Sequence, residues 1–295
     1  MTRPLISVVT IAKDGEDFIA EAIESVRHQT WDHWELHLVD DGSRDGTLDL
    51  MHHAARADPE RIFVHRHPNG ENRGMSASRN LGLHRSRGDA VTWLDHDDVM
   101  LPGKIEVMWS ALDRHADAVA VVAPVRRWYS WASGVANGQS DTDQVFPGPF
   151  DQTLLPPSIV PLFLEQRQLV PLSPMVRSTP LKAMGGHVEA FTGMHEDQAF
   201  LAKLLFRHPV VLIEEVLHLY RQHAESCVAN TYRMGRERDA RRVFLRWLEL
   251  ETAIAGPRTP ELREIVRRQL ALTRGGWHRR LRRRIINLRN RDDSP

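Results

Sequence analysis

The sequence has a single cysteine, Cys227, in 295 residues. That excludes an intramolecular disulfide framework and any site needing several thiolates, and it suits a reducing compartment. Net charge is also missing: Lys plus Arg and Asp plus Glu each total 39. A globally basic nucleic-acid binder is therefore not expected, although a local patch stays open. Long apolar runs are absent, since the longest, Leu5–Ala12 and Ala118–Val125, are strand-sized and too short to span a bilayer. The N-terminus enters the first of these runs without the layout of a signal peptide. What is present is 41% apolar and 26% charged, enough for one large α/β domain or two small ones. A soluble, cytoplasmic protein is the expectation.

The first 125 residues alternate apolar runs with helical patterns. Leu5–Thr10 reads as a strand, and Glu16–His28 places Phe18, Ile19, Ala22, Ile23 and Val26 on one helical face. Strands are expected at Glu35–Val39, Arg61–His65, Ala90–Leu94 and Ala118–Ala123, and helices near Thr47–Ala57, Ser76–His84 and Lys104–His115. This alternation predicts an α/β fold with a mostly parallel sheet covered on both faces, with ligands beyond the carboxyl ends of the strands. Residues 134–161, rich in Gly, Pro, Ser, Asp and Gln, read as one long loop. A strand at Leu169–Val176, a helix at Asp197–Phe206 and a strand at Val210–Ile213 follow. From Tyr232 the chain reads as helical, with Gly256-Pro257 separating Glu237–Ala255 from Pro260–Leu272.

Three acidic clusters carry the chemistry. Asp40-Asp41-Gly42-Ser43-Arg44-Asp45-Gly46-Thr47 follows a strand. Turn and cap roles account for Gly42, Asp45 and Gly46, but not for two adjacent carboxylates, one of which could accept from a nucleotide base. Asp95-His96-Asp97-Asp98 also follows a strand, and its three carboxylates repel one another unless a cation neutralises them. Oxygen-rich sites of this kind suit Mg2+ or Mn2+ beside substrate phosphates. His195-Glu196-Asp197 opens a helix, where acids answer the macrodipole or supply a general base. Arg79 could hold a base or phosphate, and His223 could add a donor near a hard metal; a surface ion pair and a packed histidine are the plainer alternatives.

Taken in order, these pieces resemble family 2 of the inverting glycosyltransferases, which have the GT-A fold, over roughly residues 4–225. Ser25-Val26-Arg27-His28-Gln29-Thr30-Trp31, Trp34-Glu35-Leu36 and Val39–Thr47 resemble the family's first block. Asn72–Asn80 with Gly88-Asp89 resembles the second, Leu94–Asp98 the DXD region, and Glu196-Asp197 the late acidic pair. The resemblance implies a Rossmann-like sheet with a nucleotide-sugar-binding half over 1–125 and an acceptor and catalytic-base half over 126–230. A C-terminal helical extension over 231–295 would follow.

It further implies that Ile11, Lys13, Asp40, Asp41, Arg79, Asp95, His96, Asp97 and Glu196 line the nucleotide-diphospho-sugar donor. Asp41 would meet the base and Arg79 would help hold the nucleotide. Asp97, Asp98 and His223 would hold Mn2+ or Mg2+, and Asp197 would take the acceptor's proton. One sugar would move, with inversion, to a glycan, lipid-linked or small-molecule acceptor, since the Gln-x-x-Arg-Trp motif of processive synthases is absent. Lys13, in Ile11-Ala12-Lys13-Asp14, departs from the family's aromatic at that place, which leaves the usual uridine preference open. A non-catalytic binding or scaffold protein of the same fold, or a nucleotidyltransferase, is the alternative. The latter is disfavoured by the acidic, Gly-poor Ala12–Glu16 segment.

The stretch Arg274–Arg291 carries eight arginines and no acid, with Trp277, Leu281, Ile285 and Leu288 at helical spacing. It reads as a contact for an anionic membrane surface or as a helix packed on the domain. Nucleic acid is not expected there, because stacking aromatics are scarce.

Overall fold

The computed structural model describes residues 3–132, 139–146, 148–156, 158, 160, 164, 173–254 and 260–273. The chain divides into two compact units, Met1–Asn230 and Thr231–Pro295.

The first unit opens with β1 (Ile6–Ala12), α1 (Ile19–Arg27), β2 (Trp34–Asp40), α2 (Thr47–Ala57), β3 (Ile62–Arg66) and α3 (Met75–Arg85). β4 (Ala90–Asp95), β5 (Val99–Met100), α4 (Lys104–Arg114), β6 (Ala120–Ala123) and β7 (Val125–Trp128) follow. β8 (Thr142–Gln144), β9 (Thr153–Leu154), β10 (Ser173–Arg177), β11 (Val210–Leu212) and β12 (His218–Arg221) complete the strands. The main sheet has the order β3-β2-β1-β4-β10-β6-β11-β9. β3, β2, β1 and β4 are mutually parallel, β10 runs antiparallel between β4 and β6, and β11 is again parallel to β6.

Every residue of β1 and β2 is buried, as strands covered on both faces must be. One face packs Ile6, Val8, Leu36 and Leu38 against Ile19, Ala22, Ile23 and Val26 of α1 and Ile105, Met108, Ala111 and Leu112 of α4. α3 lies against Val9 and Val39, and it approaches through Gly82: a Cβ there would stand 2.4 Å from Val9 Cγ1. A helix can come this near a sheet only with no side chain at the contact.

The alternating pattern places these elements to within a few residues. Two expectations need correction. Residues 134–161 are not a single loop, because β8 and β9 lie within them: β8 pairs with β7, and β9 adds an edge strand to β11. Phe18 does not belong to the core face of α1. It sits before the helix, where Phe18 and Ile19 donate to the Gly15 carbonyl, and its ring meets Trp131 and His223. A second sheet, β5-β12-β7-β8, was not legible, since strands of two to four residues are too short to declare a period.

In the second unit a helix runs from Glu237 to Ile254 and buries Phe244, Leu245, Leu248 and Thr252. The helix over 260–273 lies beside it, with Arg241 donating to Gln269 and Arg263 to the Thr252 carbonyl. The basic stretch 274–291 lies outside the described residues. No helix among the described residues is long and apolar enough to cross a membrane.

Candidate active site

The site residues gather beyond the carboxyl ends of β1, β2 and β4, where the parallel strands leave their last side chains free of the ladder. The register sets Ile11 beside Asp95 and Ala12 beside Asp40. Ile11 is buried, whereas Lys13 is half exposed and its ammonium lies 3.5 Å from the Asp14 carboxylate.

Asp40 and Asp41 divide the work at the end of β2. Asp40 is fully buried, accepts from the Ser43 N–H at 3.1 Å and pairs with Arg66 at 2.9 Å. Asp41 accepts from the backbone N–H groups of Arg73 (2.7 Å) and Gly74 (3.0 Å), one on each oxygen. It thereby fixes the entry into α3, where Gly74 takes φ +86°, a value that favours glycine. Each Asp41 oxygen keeps a further acceptor position.

Arg79, on the first turns of α3, is buried between two carboxylates. It donates to Asp95 at 2.5 Å and to Glu196 at the start of the helix Glu196–Arg207. Its guanidinium therefore straps the end of β4 to the helix that carries Asp197. Asp197 is held by the N–H and side-chain amide of Gln198, at 2.8 and 3.0 Å. Burial and the neighbouring Glu196 push the Asp197 carboxyl up to about 6.

Asp95, Asp97 and Asp98 each bring a carboxylate oxygen into one cluster, with the three atoms within 4.8 Å of one another. Burial works to raise Asp97, but the hydrogen bond with His223 and the charges of His96 and His223 outweigh it and hold the carboxyl below its ordinary range. His223 reaches this position because it follows β12, with Nε2 2.9 Å from Asp97 Oδ2. It therefore stands beside the cluster as Asp97's neighbour. Asp98 is more deeply set, and burial followed by repulsion from Asp97 and Asp95 raises its carboxyl well above the usual range. His96 lies over Gly15, where a Cβ would fall 2.1 Å from the ring, so the β1–α1 turn closes against it only with glycine there.

Several participants had no signal in the sequence. Arg221 donates its backbone N–H to Asp98 Oδ1 (2.9 Å), its Nε to the Asp97 carbonyl (2.7 Å) and its Nη2 to Glu21 (2.5 Å). Its guanidinium stands 4.6–4.9 Å from the ring centroids of Phe18, Trp128 and Trp131. Lys104 is fully buried, and burial pulls its ammonium down to about 7 against the attraction of Asp98 and Asp95.

The donor set fits a hard divalent cation: three carboxylates, all oxygen, with a repulsion among them that such an ion relieves. With the Asp197 carboxyl held across the Arg79 strap, the arrangement offers a place for a cation and an anionic group at one end and a proton acceptor at the other.

Comparisons with known proteins bear on the fold and the family. A teichuronic acid biosynthesis glycosyltransferase, TuaG of Bacillus subtilis (its name qualified there as provisional), is 39% identical over 104 residues, 35% of this chain and 40% of that one. EpsH of the same organism, named a glycosyltransferase with the same qualification, is 32% identical over 119 residues, 40% of this chain and 33% of that one. The matched segments thus span two fifths or less of these relatives. Among solved structures, S. aureus TarS 1–349 in complex with UDP-GlcNAc superposes with a TM-score of 0.63 at 17% identity, covering 81% of this chain and 65% of that one. The mannosyltransferase PcManGT from Pyrobaculum calidifontis, in complex with GDP-Man and Mn2+, gives 0.59 at 16% identity, covering 92% and 70%. These likenesses show the GT-A fold. The model of the family described as glycosyl transferase family 2 matches residues 7–158, more than half of the sequence, and the chain belongs to that family.

Proposed function

We propose that the chain transfers one sugar, with inversion, from a nucleotide-diphosphate donor to an acceptor hydroxyl in the synthesis of a cell-surface glycan, polysaccharide or glycolipid. The observation that carries this reading is the Asp95–Asp97–Asp98 cluster joined through Arg79 and Glu196 to the raised carboxyl of Asp197. The UDP-GlcNAc and GDP-Man in the structural neighbours, and the Mn2+ in one of them, support the same class of donor.

In this mechanism Asp41 and the end of β1 face the nucleoside, and Asp95 and Asp97 face the ribose and diphosphate. Asp97, Asp98 and His223, with Asp95 beside them, would hold Mn2+ or Mg2+, which when bound neutralises charge on the departing diphosphate. Asp197 accepts the proton of the acceptor hydroxyl as its oxygen forms the bond to the anomeric carbon. The bond from that carbon to the diphosphate oxygen breaks on the opposite face, which inverts the centre.

The test is Asp97→Asn, which removes one anionic oxygen and leaves the side-chain volume unchanged. Wild type is expected to show a Mn2+-dependent rise in melting temperature with UDP, GDP, dTDP or CDP, because a ligand that binds only the folded state stabilises it by mass action. The variant is expected to lose that rise and keep its own ligand-free melting temperature. An unchanged metal-dependent rise would remove Asp97 from the donor site.

The second unit supports a membrane-proximal acceptor. Residues 231–295 hold eighteen arginines against eight acidic residues. The helix Glu237–Ile254 exposes Val243 (58%), Leu250 (66%) and Ile254 (75%), which fall on one helical face. An apolar stripe among cationic side chains suits an anionic lipid surface. Full-length protein is expected to sediment with phosphatidylglycerol-containing vesicles but not with phosphatidylcholine alone. Deleting 274–295 is expected to release most of it, and equal binding to both vesicle types rejects the contact.

A further inference from the structure

Behind the acidic cluster runs a line of buried polar groups that the mechanism above does not use. Lys104, the first residue of α4, places Nζ 3.1 Å from His218 Nδ1. The other ring nitrogen, His218 Nε2, lies 2.8 Å from Asp98 Oδ2. Ser173 Oγ, at the start of β10, is 3.4 Å from Nδ1. Lys104, His218, Ser173 and Asp98 are all buried. α4, β12 and β10 therefore meet behind one carboxylate, far from one another in sequence.

With Asp98 ionised, the form that faces a cation, and Lys104 an ammonium, the donors and acceptors admit one assignment. Asp98 as a carboxylate can only accept, so the proton of the neutral imidazole sits on Nε2 and is donated to Oδ2. Nδ1 is then bare and accepts from the Lys104 ammonium, which can only donate. A doubly protonated His218 would set an N–H donor against that ammonium only 3.1 Å away, with no acceptor between them. Oδ1 of Asp98 is fixed by the Arg221 N–H. Each oxygen thus spends one acceptor position on the protein and keeps the other for the cluster.

We infer that Lys104 and His218 are positioning residues for the divalent-cation site: Lys104 fixes the His218 tautomer, and His218 fixes the orientation of Asp98. This rests on the metal reading given above. Outer groups that orient a ligating side chain are worth ~10–100-fold in metal affinity, which sets the scale of the effect.

The test is direct titration of Mn2+ into full-length protein without nucleotide, following the free-ion electron paramagnetic resonance signal. His218→Leu, which fills the space but donates nothing, is expected to weaken Mn2+ binding by ~10–100-fold. His218→Gln, whose amide can donate in place of Nε2, is expected to stay within about threefold of wild type, a rescue that packing alone does not predict. Lys104→Met is expected to weaken binding by about tenfold through loss of the tautomer lock. The inference is overturned if His218→Leu and Lys104→Met bind Mn2+ as wild type does, or if His218→Gln is as weak as His218→Leu. If wild type itself takes up no Mn2+, the metal reading falls and this inference with it; normal uptake by wild type and by both disruptive variants sinks only the positioning role.

Discussion

Replacing Asp197 with asparagine is expected to lower kcat by about three orders of magnitude while the nucleotide-induced rise in melting temperature is kept. A positioned general base contributes ~10²–10⁴ to a rate, and the amide is isosteric but cannot take a proton. A thousandfold loss corresponds to about 4 kcal/mol of transition-state stabilisation. The Gln198 N–H and side-chain amide that hold Asp197 put the carboxyl in place but leave acceptor capacity on each oxygen. The same residue is expected to set the acid limb of the pH profile. Its carboxyl is raised to about 6, so it is ionised and competent above that value and protonated below it. Wild-type kcat/KM is expected to fall tenfold per unit of pH below about 6, and the residual rate of Asp197→Asn is expected to lack this limb. Turnover by the variant within threefold of wild type would place the base elsewhere.

Replacing Arg79 with methionine is expected to cost about 3 kcal/mol of stability, at the lower end of what breaking a buried ion pair costs. Its two partners weigh unequally. Glu196 is 5% exposed and would be left buried with only the His187 ring, 3.5 Å away, whereas Asp95 is 39% exposed and falls back on solvent. At a few degrees per kcal/mol for a domain of this size, the melting temperature is expected to drop by roughly 6–12 °C. The double variant Arg79→Met with Glu196→Gln is expected to recover part of that loss, since no orphaned carboxylate stays beside the helix start. A drop below 2 °C in the single variant would show that the strap does not hold the two ends of the site together.

Much of this site could be read from the chain because its acids are neighbours in sequence. Asp40-Asp41 and Asp95–Asp98 each close a buried strand, and Glu196-Asp197 opens a helix, so strand and helix patterns alone put three clusters at one edge of a sheet. The partners of those acids could not be read in the same way. Asp41 holds two N–H groups more than thirty positions away, and Asp98 is held by residues of β12 more than a hundred positions on. Lys104 looks like a solvated lysine at the start of an amphipathic helix, and nothing local marks it as fully buried. Short strands were missed for a related reason: β5, β7 and β12 owe their existence to one another and not to their own two to four residues.

The antiparallel strand β10 has a consequence for how such a catalyst diversifies. Ala123 closes β6 and Ser173 opens β10, and the two are partners in the same ladder. The chain thus leaves β6 and enters β10 at a single rung, on the rim where the acids stand. Between the two it lends β7 and β8 to the second sheet and β9 to the edge of the main one. Lengthening this excursion outside β7, β8 and β9 leaves the pairings of β1, β2 and β4 as they are, and each doubling of a flexible loop adds only ~0.6 kcal/mol of closure entropy. Changes in 124–172 outside β7, β8 and β9 are therefore expected to alter acceptor preference while the strands that lead into Asp41 and Asp95 keep their places.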